Sequence, residues 1–313
     1  MWERMRQIWR RRKSAAVFGI DFGASHLQVA ELRQTTGGPV CLRQFAIEDR
    51  PWGEKAVSSQ MEGELLRDAL GRNGMQAEFA VAGIGSEHSY FQVFRFPSMP
   101  ERELLEAARW ELQPFLKENG KHYYYDMAVL KSASSTGDTL VFAAAALKEC
   151  VDWLVAAAYE AGVKLAAVEP EVVAFARANG DPGEALLVKA EAEHAHLCFV
   201  HRGIPERVET IVSEKAELSG LELAAVLTER TAAYQTLHEG CSLQSIYLGG
   251  ERLAEEALGR VVAKQTGLVV QQNACWQQVT AEPLFDKTFL ETAAPVLSLS
   301  IGLAMRGFQS GLR

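Results

Sequence analysis

The sequence predicts a duplicated α/β fold, two domains facing each other across a cleft, on three observations. The chain has 313 residues, about twice the ordinary domain length of roughly 150. Apolar residues make up 48% and charged residues 23%, enough for two cores and unlike a disordered chain. Each half then opens with strand, turn, strand and goes on to alternate strands with helices. Laid over one another without a gap, residues 17–32 and 185–200 agree in apolar period and differ at the turn.

The elements follow in order. Val17–Asp21 and Leu27–Leu32 read as strands joined by Phe22-Gly23-Ala24-Ser25, with Val40–Ile47 a third strand. Glu62–Leu70 reads as a helix stopped by Gly71 and Gly74, and Phe79–Ile84 and Tyr90–Phe96 as strands. Ser98-Met99-Pro100-Glu101 predicts a capping box opening a helix through Leu104, Ala108, Leu112 and Phe115, with Pro114 ending its regular part. Tyr123–Leu130 and Thr139–Ala145 are strands, Glu149–Ala161 a helix closed by Gly162, Leu165–Val168 a strand and Glu171–Ala178 a helix. Asn179-Gly180-Asp181-Pro182-Gly183 is the best domain boundary. Beyond it lie strands Ala185–Ala190 and Ala195–His201, helix Leu218–Leu237, strand Ser245–Leu248, helix Leu253–Thr266 and a closing apolar helix Pro295–Phe308. The expected division is a basic leader 1–16, a first domain 17–180 with a small subdomain inserted near 96–168, and a second domain 181–313.

Lys+Arg 32 against Asp+Glu 40 gives a net charge of -8, which leaves no broad basic field for nucleic acid. Residues 1–13 are the exception, with six basic side chains and one acidic. As a helix they would set Trp2, Met5, Ile8 and Trp9 in one stripe amid arginines, a composition suited to an anionic membrane surface. Five scattered cysteines exclude a disulfide framework and fit a reducing cytosol. No apolar run reaches the ~18 residues of a membrane span.

The first turn carries the most chemistry. Asp21 at a strand end can hold a hydrated Mg²⁺, Gly23 lets the backbone turn tightly beside a phosphate, and Ser25 with the turn N–H groups can donate to phosphate oxygens. A plain hairpin with turn-forming Asp and Gly is the alternative reading. His194-Ala195-His196-Leu197-Cys198 puts three ligand-type side chains on one strand face, but its ends lie about 13 Å apart, so one ion could meet two at most. A strand face with a buried Cys explains it. Alternation likewise splits Tyr123-Tyr124-Tyr125 between two faces.

Gly19–Leu32 (GIDFGASHLQVAEL), Ser245–Gly250 (SIYLGG) and Ser300–Arg306 (SIGLAMR) together resemble the actin-like ATPase superfamily, with duplicated RNase H-like domains flanking a cleft. Within it the chain resembles the PilM family of type IV pilus assembly proteins. Phe96–Phe115 (FPSMPERELLEAARWELQPF) is similar to that family's lead-in to the inserted subdomain, and Tyr125-Asp126, Val141–Ala146 and Gly162–Ala176 continue the likeness. The resemblance implies an ATP/Mg²⁺ cofactor held by Asp21, Gly23 and Ser25 and, on the adenine side, by Gly249 and Gly250, with Asp21 on the metal. It also implies a cytoplasmic scaffold beneath the inner membrane, binding the cytoplasmic N-terminal tail of a single-span PilN-like protein, with candidate contacts on the strand Tyr90–Phe96 and on the insert helix. The alternatives are an active actin-like ATPase and a nucleotide-free adaptor like the cytoplasmic part of type II secretion L-subunits.

Three residues depart from the family pattern. Lys189 and Glu191 stand where the second hairpin would carry Asp and Gly, and Glu251 follows Gly249-Gly250 where a small residue is expected. A lysine cannot hold Mg²⁺, and a glutamate brings negative charge to a phosphate site. Phosphoryl transfer needs both sides of the cleft, so the expectation is no catalysis.

Overall fold

The computed structural model describes residues 14–35, 38–52, 57–77, 79–118, 120–130, 138–191, 193–213, 218–237, 243–250, 256–272 and 274–308. Residues 1–13 of the basic leader and Glu251 lie outside them, and residues 14–16 already belong to the first strand. The first half runs β1 (Ser14–Phe22), β2 (His26–Thr35), β3 (Val40–Asp49), α1 (Ser59–Arg72), β4 (Phe79–Ile84) and β5 (Ser89–Phe96). It continues with α2 (Glu101–Glu118), β6 (Tyr123–Leu130), β7 (Thr139–Leu147), α3 (Lys148–Glu160), β8 (Lys164–Pro170) and α4 (Glu171–Ala178). The second half has β9 (Glu184–Ala190), β10 (His194–His201), β11 (Ile204–Val212), α5 (Gly220–Leu237) and β12 (Ser245–Gly249). α6 (Glu256–Thr266), β13 (Val269–Gln271), a 3-10 turn (Ala274–Gln277), β14 (Thr280–Ala281) and α7 (Lys287–Arg306) complete it.

Two sheets carry the two halves. The first has the order β14-β3-β2-β1-β4-β8 and the second β11-β10-β9-β12-β13. In both, an antiparallel hairpin is extended by a parallel strand, β4 beside β1 and β12 beside β9. Near-continuous apolar runs explain the central strands: every residue of β4 is buried. Between the sheets Val17, Val81, Ala174, Phe175, Leu187, Cys198, Leu299 and Leu303 share one cluster, so the core is continuous across the cleft floor.

A third sheet, β5-β7-β6, stands apart with α2 on one face. The inserted unit thus spans 89–147, where the sequence suggested 96–168. The difference has a simple cause: α3 packs on α1, and β8 pairs with β4, so 148–170 return to the first sheet. α2 also runs through Pro114. The carbonyl that Pro114 leaves without an intrahelical donor is that of Trp110, whose side chain is 71% exposed, so that turn faces water.

The C-terminal segment belongs with the first sheet. β14 pairs with β3, and Ala294, Leu297, Ile301 and Ala304 of α7 pack on Ala30, Leu32 and Leu42. The expected division of the chain at 180/181 therefore differs from the packing over 274–306, the stretch that holds the 3-10 turn, β14 and α7. α7 starts eight residues before Pro295, where Asp286 accepts from Phe289 N at 2.8 Å. At that length the helix is apolar and long enough to cross a membrane, yet it is mostly buried between the sheets. Core burial on several sides accounts for its composition.

Candidate functional site

The two hairpins bring their turns together over α4. Asp21 ends β1, Lys189 stands near the end of β9, Glu191 follows it in the turn, and Glu171 opens α4. The Lys189 ammonium lies 2.7 Å from Glu171 Oε2, 3.0 Å from Glu191 Oε1 and 3.8 Å from Asp21 Oδ2. Asp21 is 1% exposed and Glu191 5%. Burial works against the charge on Lys189, but the carboxylates of Asp21, Glu171 and Glu191 outweigh it and hold the pKa well above the ordinary lysine value. Burial likewise pushes Glu191 up, while Lys189 and a bond to His194 overcome it and hold the carboxyl well below its usual range. The Lys189 ammonium puts a fixed positive charge 3.8 Å from Asp21 Oδ2, where a hydrated Mg²⁺ would have to sit, so this set of side chains does not fit a magnesium nucleotide.

The remaining expected site residues have other tasks. Gly23 and Ser25 offer backbone carbonyls to Arg50, from its Nη1 and its main-chain N, and Arg50 is paired with Glu62 at 2.8 Å. Trp52 Nε1 also donates to Glu62, so the first turn rests on a buried polar bracket. Gly249 and Gly250 do approach the second hairpin. A Cβ on Gly249 would lie 2.5 Å from the Phe175 ring, and one on Gly250 2.2 Å from Ala190 O, with φ +115. Close packing thus explains both glycines. Of the expected set, the fold brings Asp21 to Lys189 and Glu191, and sets Gly249-Gly250 alongside. Glu171 is the residue that sequence reasoning missed; its only signal was a Pro-Glu step at a strand-to-helix junction.

Cys198 is the buried member of its strand face, as the sequence suggested. It is buried in the core between the sheets, and burial pushes its thiol far up. Glu191 instead comes round the turn to join His194 and His196.

Two cavities flank the inserted unit. Val141 and Ala143 of β7 are buried against Leu104, Ala108 and Leu112 of α2. Strand alternation turns Phe142 and Ala144 to the opposite face, where they line a groove of about 450 Å³ with Ala128 of β6, Val168 of β8 and Val173 of α4. β6 and β8 are both outermost strands of their sheets, each paired on one side only. The groove floor is polar: Arg177 holds Glu169 through two bonds, 2.6 and 3.0 Å, and Arg306 lies 3.7 Å from the same carboxylate. Strand Tyr90–Phe96, the sequence's candidate for peptide contact, sits at the other edge of the insert sheet. Its residues Tyr90, Phe91 and Gln92 line a separate 470 Å³ cavity that reaches Lys189 and His196. Helix α2 lies across the sheet from the groove and cannot reach it.

No protein-family model matches the chain, and no curated protein matches it. Solved structures do. A chain of the PilM–PilN type IV pilus biogenesis complex superposes with a TM-score of 0.78 at 21% identity, covering 94% of this chain and 99% of that one. The ethanolamine utilization protein EutJ from Carboxydothermus hydrogenoformans gives 0.50 at 12% identity over 94% and 90%. A Bacteroides thetaiotaomicron protein with actin-like ATPase fold and unknown function gives 0.50 at 9% identity over 94% and 97%. With paired hairpins, a crossing C-terminal helix and an inserted three-stranded unit, the chain has the PilM-like form of the actin-like ATPase fold.

Proposed function

We propose that the chain is a cytoplasmic scaffold of a type IV pilus or related competence or secretion platform, peripheral to the inner membrane. In this reading it binds the cytoplasmic N-terminal tail of a PilN-like single-span membrane protein and turns over no ATP. The observation that carries it is the groove between the inserted unit and the first sheet, on a chain that superposes over 94% of its length with a chain of a PilM–PilN complex. An extended peptide can add to a strand edge while alternate side chains enter apolar pockets. Here both walls are outermost strands among the described residues, the lining is Ala128, Phe142, Ala144, Val168 and Val173, and the floor carries Arg306 beside Glu169. Residues 1–13 would add contact with anionic lipid.

The test is titration of a labelled peptide copying the cytoplasmic tail of the membrane protein encoded alongside. Micromolar binding, about -8 kcal/mol, is expected, and Ala144→Arg should abolish it by filling the groove. Binding undetectable at millimolar peptide, or unaffected by Ala144→Arg, would remove this reading. The ATPase reading makes the opposite demand on the cleft. Calorimetric titration with ATP and Mg²⁺ should show weak or no binding, and hydrolysis should stay at background. Tight binding lost on Asp21→Ala would overturn the nucleotide-free reading while leaving the peptide groove untouched.

A further inference from the structure

The turn between β9 and β10 gathers three ligand-type side chains that neither the fold nor the peptide groove requires. One carboxylate oxygen of Glu191 and one ring nitrogen each from His194 and His196 lie within 4.8 Å of one another. Glu191 Oε2 is 2.5 Å from His194 Nε2, and the two imidazoles meet edge to face with centroids 4.9 Å apart. The local sequence explains the convergence. His-x-His on a strand sends both rings to one face, and a tight turn, closed by Glu191 N to His194 O at 2.8 Å, folds the glutamate over them.

The surroundings resemble the outer layer of a metal centre. His196 Nδ1 lies 2.8 Å from Ser86 Oγ and 3.1 Å from Thr210 Oγ1, contacts that fix the ring and turn Nε2 the other way. That Nε2 is 4.0 Å from a carboxylate oxygen of Glu87, which comes from the opposite domain. The other oxygen of Glu191 is steadied by Lys189 at 3.0 Å. The local charge also favours a cation: the carboxylates of Asp21, Glu171 and Glu191 surround the ammonium of Lys189, and Glu87 adds a further carboxylate beside His196.

We propose that Glu191, His194 and His196 form a binding site for a divalent transition-metal ion, with Glu87 in place to complete it. Two imidazoles and a carboxylate suit zinc, cobalt or nickel; the hard cations Mg²⁺ and Ca²⁺ prefer an all-oxygen set. A bound ion would join the second-domain hairpin to the 85–88 loop of the first domain and pin the cleft shut at its mouth. This site shares Glu191 with the Lys189 cluster, each using a different carboxylate oxygen, and lies apart from the peptide groove.

The experiment uses the full chain, reduced and stripped of metal, titrated with Co²⁺. One ion per chain is expected, with visible ligand-field bands and no thiolate charge-transfer band. His194→Ala and His196→Ala should each lose the bands, whereas His201→Ala, whose ring pairs with Glu184, should keep them. Ser86→Ala should weaken binding by about tenfold, as removal of an outer-layer partner does. Zn²⁺ should raise the melting temperature of the wild type and not of His194→Ala, a half-buried position at the start of β10 where truncation leaves the fold in place. Absence of ligand-field bands in the wild type would overturn the proposal. So would bands that survive in His194→Ala, or that carry thiolate charge transfer and mark cysteine binding.

Discussion

Lys189 separates three carboxylates that would otherwise repel one another inside the protein. Removing one partner of a buried ion pair typically costs ~3–5 kcal/mol, because the remaining charge stays uncompensated. Lys189→Met should therefore lower unfolding free energy by about that much in denaturant titration; a change below about 1 kcal/mol would mean that water screens the cluster. The pH dependence follows from the two shifts. Glu191 is held below its unfolded value of about 4.3, so its stabilisation is full above that pH and fades as pH falls toward the folded value. Lys189 is held above its unfolded value of about 10.4, so its share is full below that pH and fades only as alkali passes the folded value. Unfolding midpoints measured from neutral to acid pH should fall less steeply in Glu191→Gln than in the wild type. Asp21, Lys189 and Glu191 were legible in sequence because a hairpin turn is a local pattern. Glu171 was not, since only the packing of α4 beneath both hairpins brings it to them. The buried Cys198 was legible from strand alternation, whereas the approach of Glu191 to His194 and His196 was not, because it depends on the chain's return through the turn.

Among the elements, α7 is the one that glycine placement makes testable. A Cβ on Gly302 would lie 1.9 Å from Ala174 O, and one on Gly19 1.8 Å from Ser300 O. The helix therefore touches α4 and β1 backbone to backbone at those points. Gly302→Ala should force the two helices apart and cost about 1–3 kcal/mol, read as a lowered unfolding midpoint. No loss of stability would mean that α7 slides freely between the sheets. Strong local periodicity made the hairpins, α1, α3 and α5 readable from sequence. β11 escaped because Pro205 and the alternating Arg207 and Glu209 disguise it as a loop, and its strand character comes from pairing with β10. β13 and β14, three and two residues long, have no periodicity to read and exist only through parallel partners. Pro295 hid the true start of α7, whose signal was the cap at Asp286.

For the molecule as a whole, the basic leader makes a prediction independent of the cleft. Deleting residues 1–13 should leave the fold intact and reduce sedimentation with anionic vesicles, and salt should do the same by screening. Equal indifference of both forms to such vesicles would remove the lipid contact. The duplicated plan itself was legible, because both halves open on the same strand–turn–strand pattern. What sequence order concealed is that the first sheet is finished by the last elements made. β3 takes β14 as its neighbour, and the apolar faces of Ala30, Leu32 and Leu42 are covered by α7. On the ribosome, the N-terminal sheet must wait for nearly the entire remainder of the chain before those faces are sheltered. At roughly 5–20 residues per second that delay is on the order of tens of seconds. A nascent chain of this design carries an open hydrophobic surface through most of its synthesis, and its yield in a cell should depend on chaperone supply far more than its final stability would suggest.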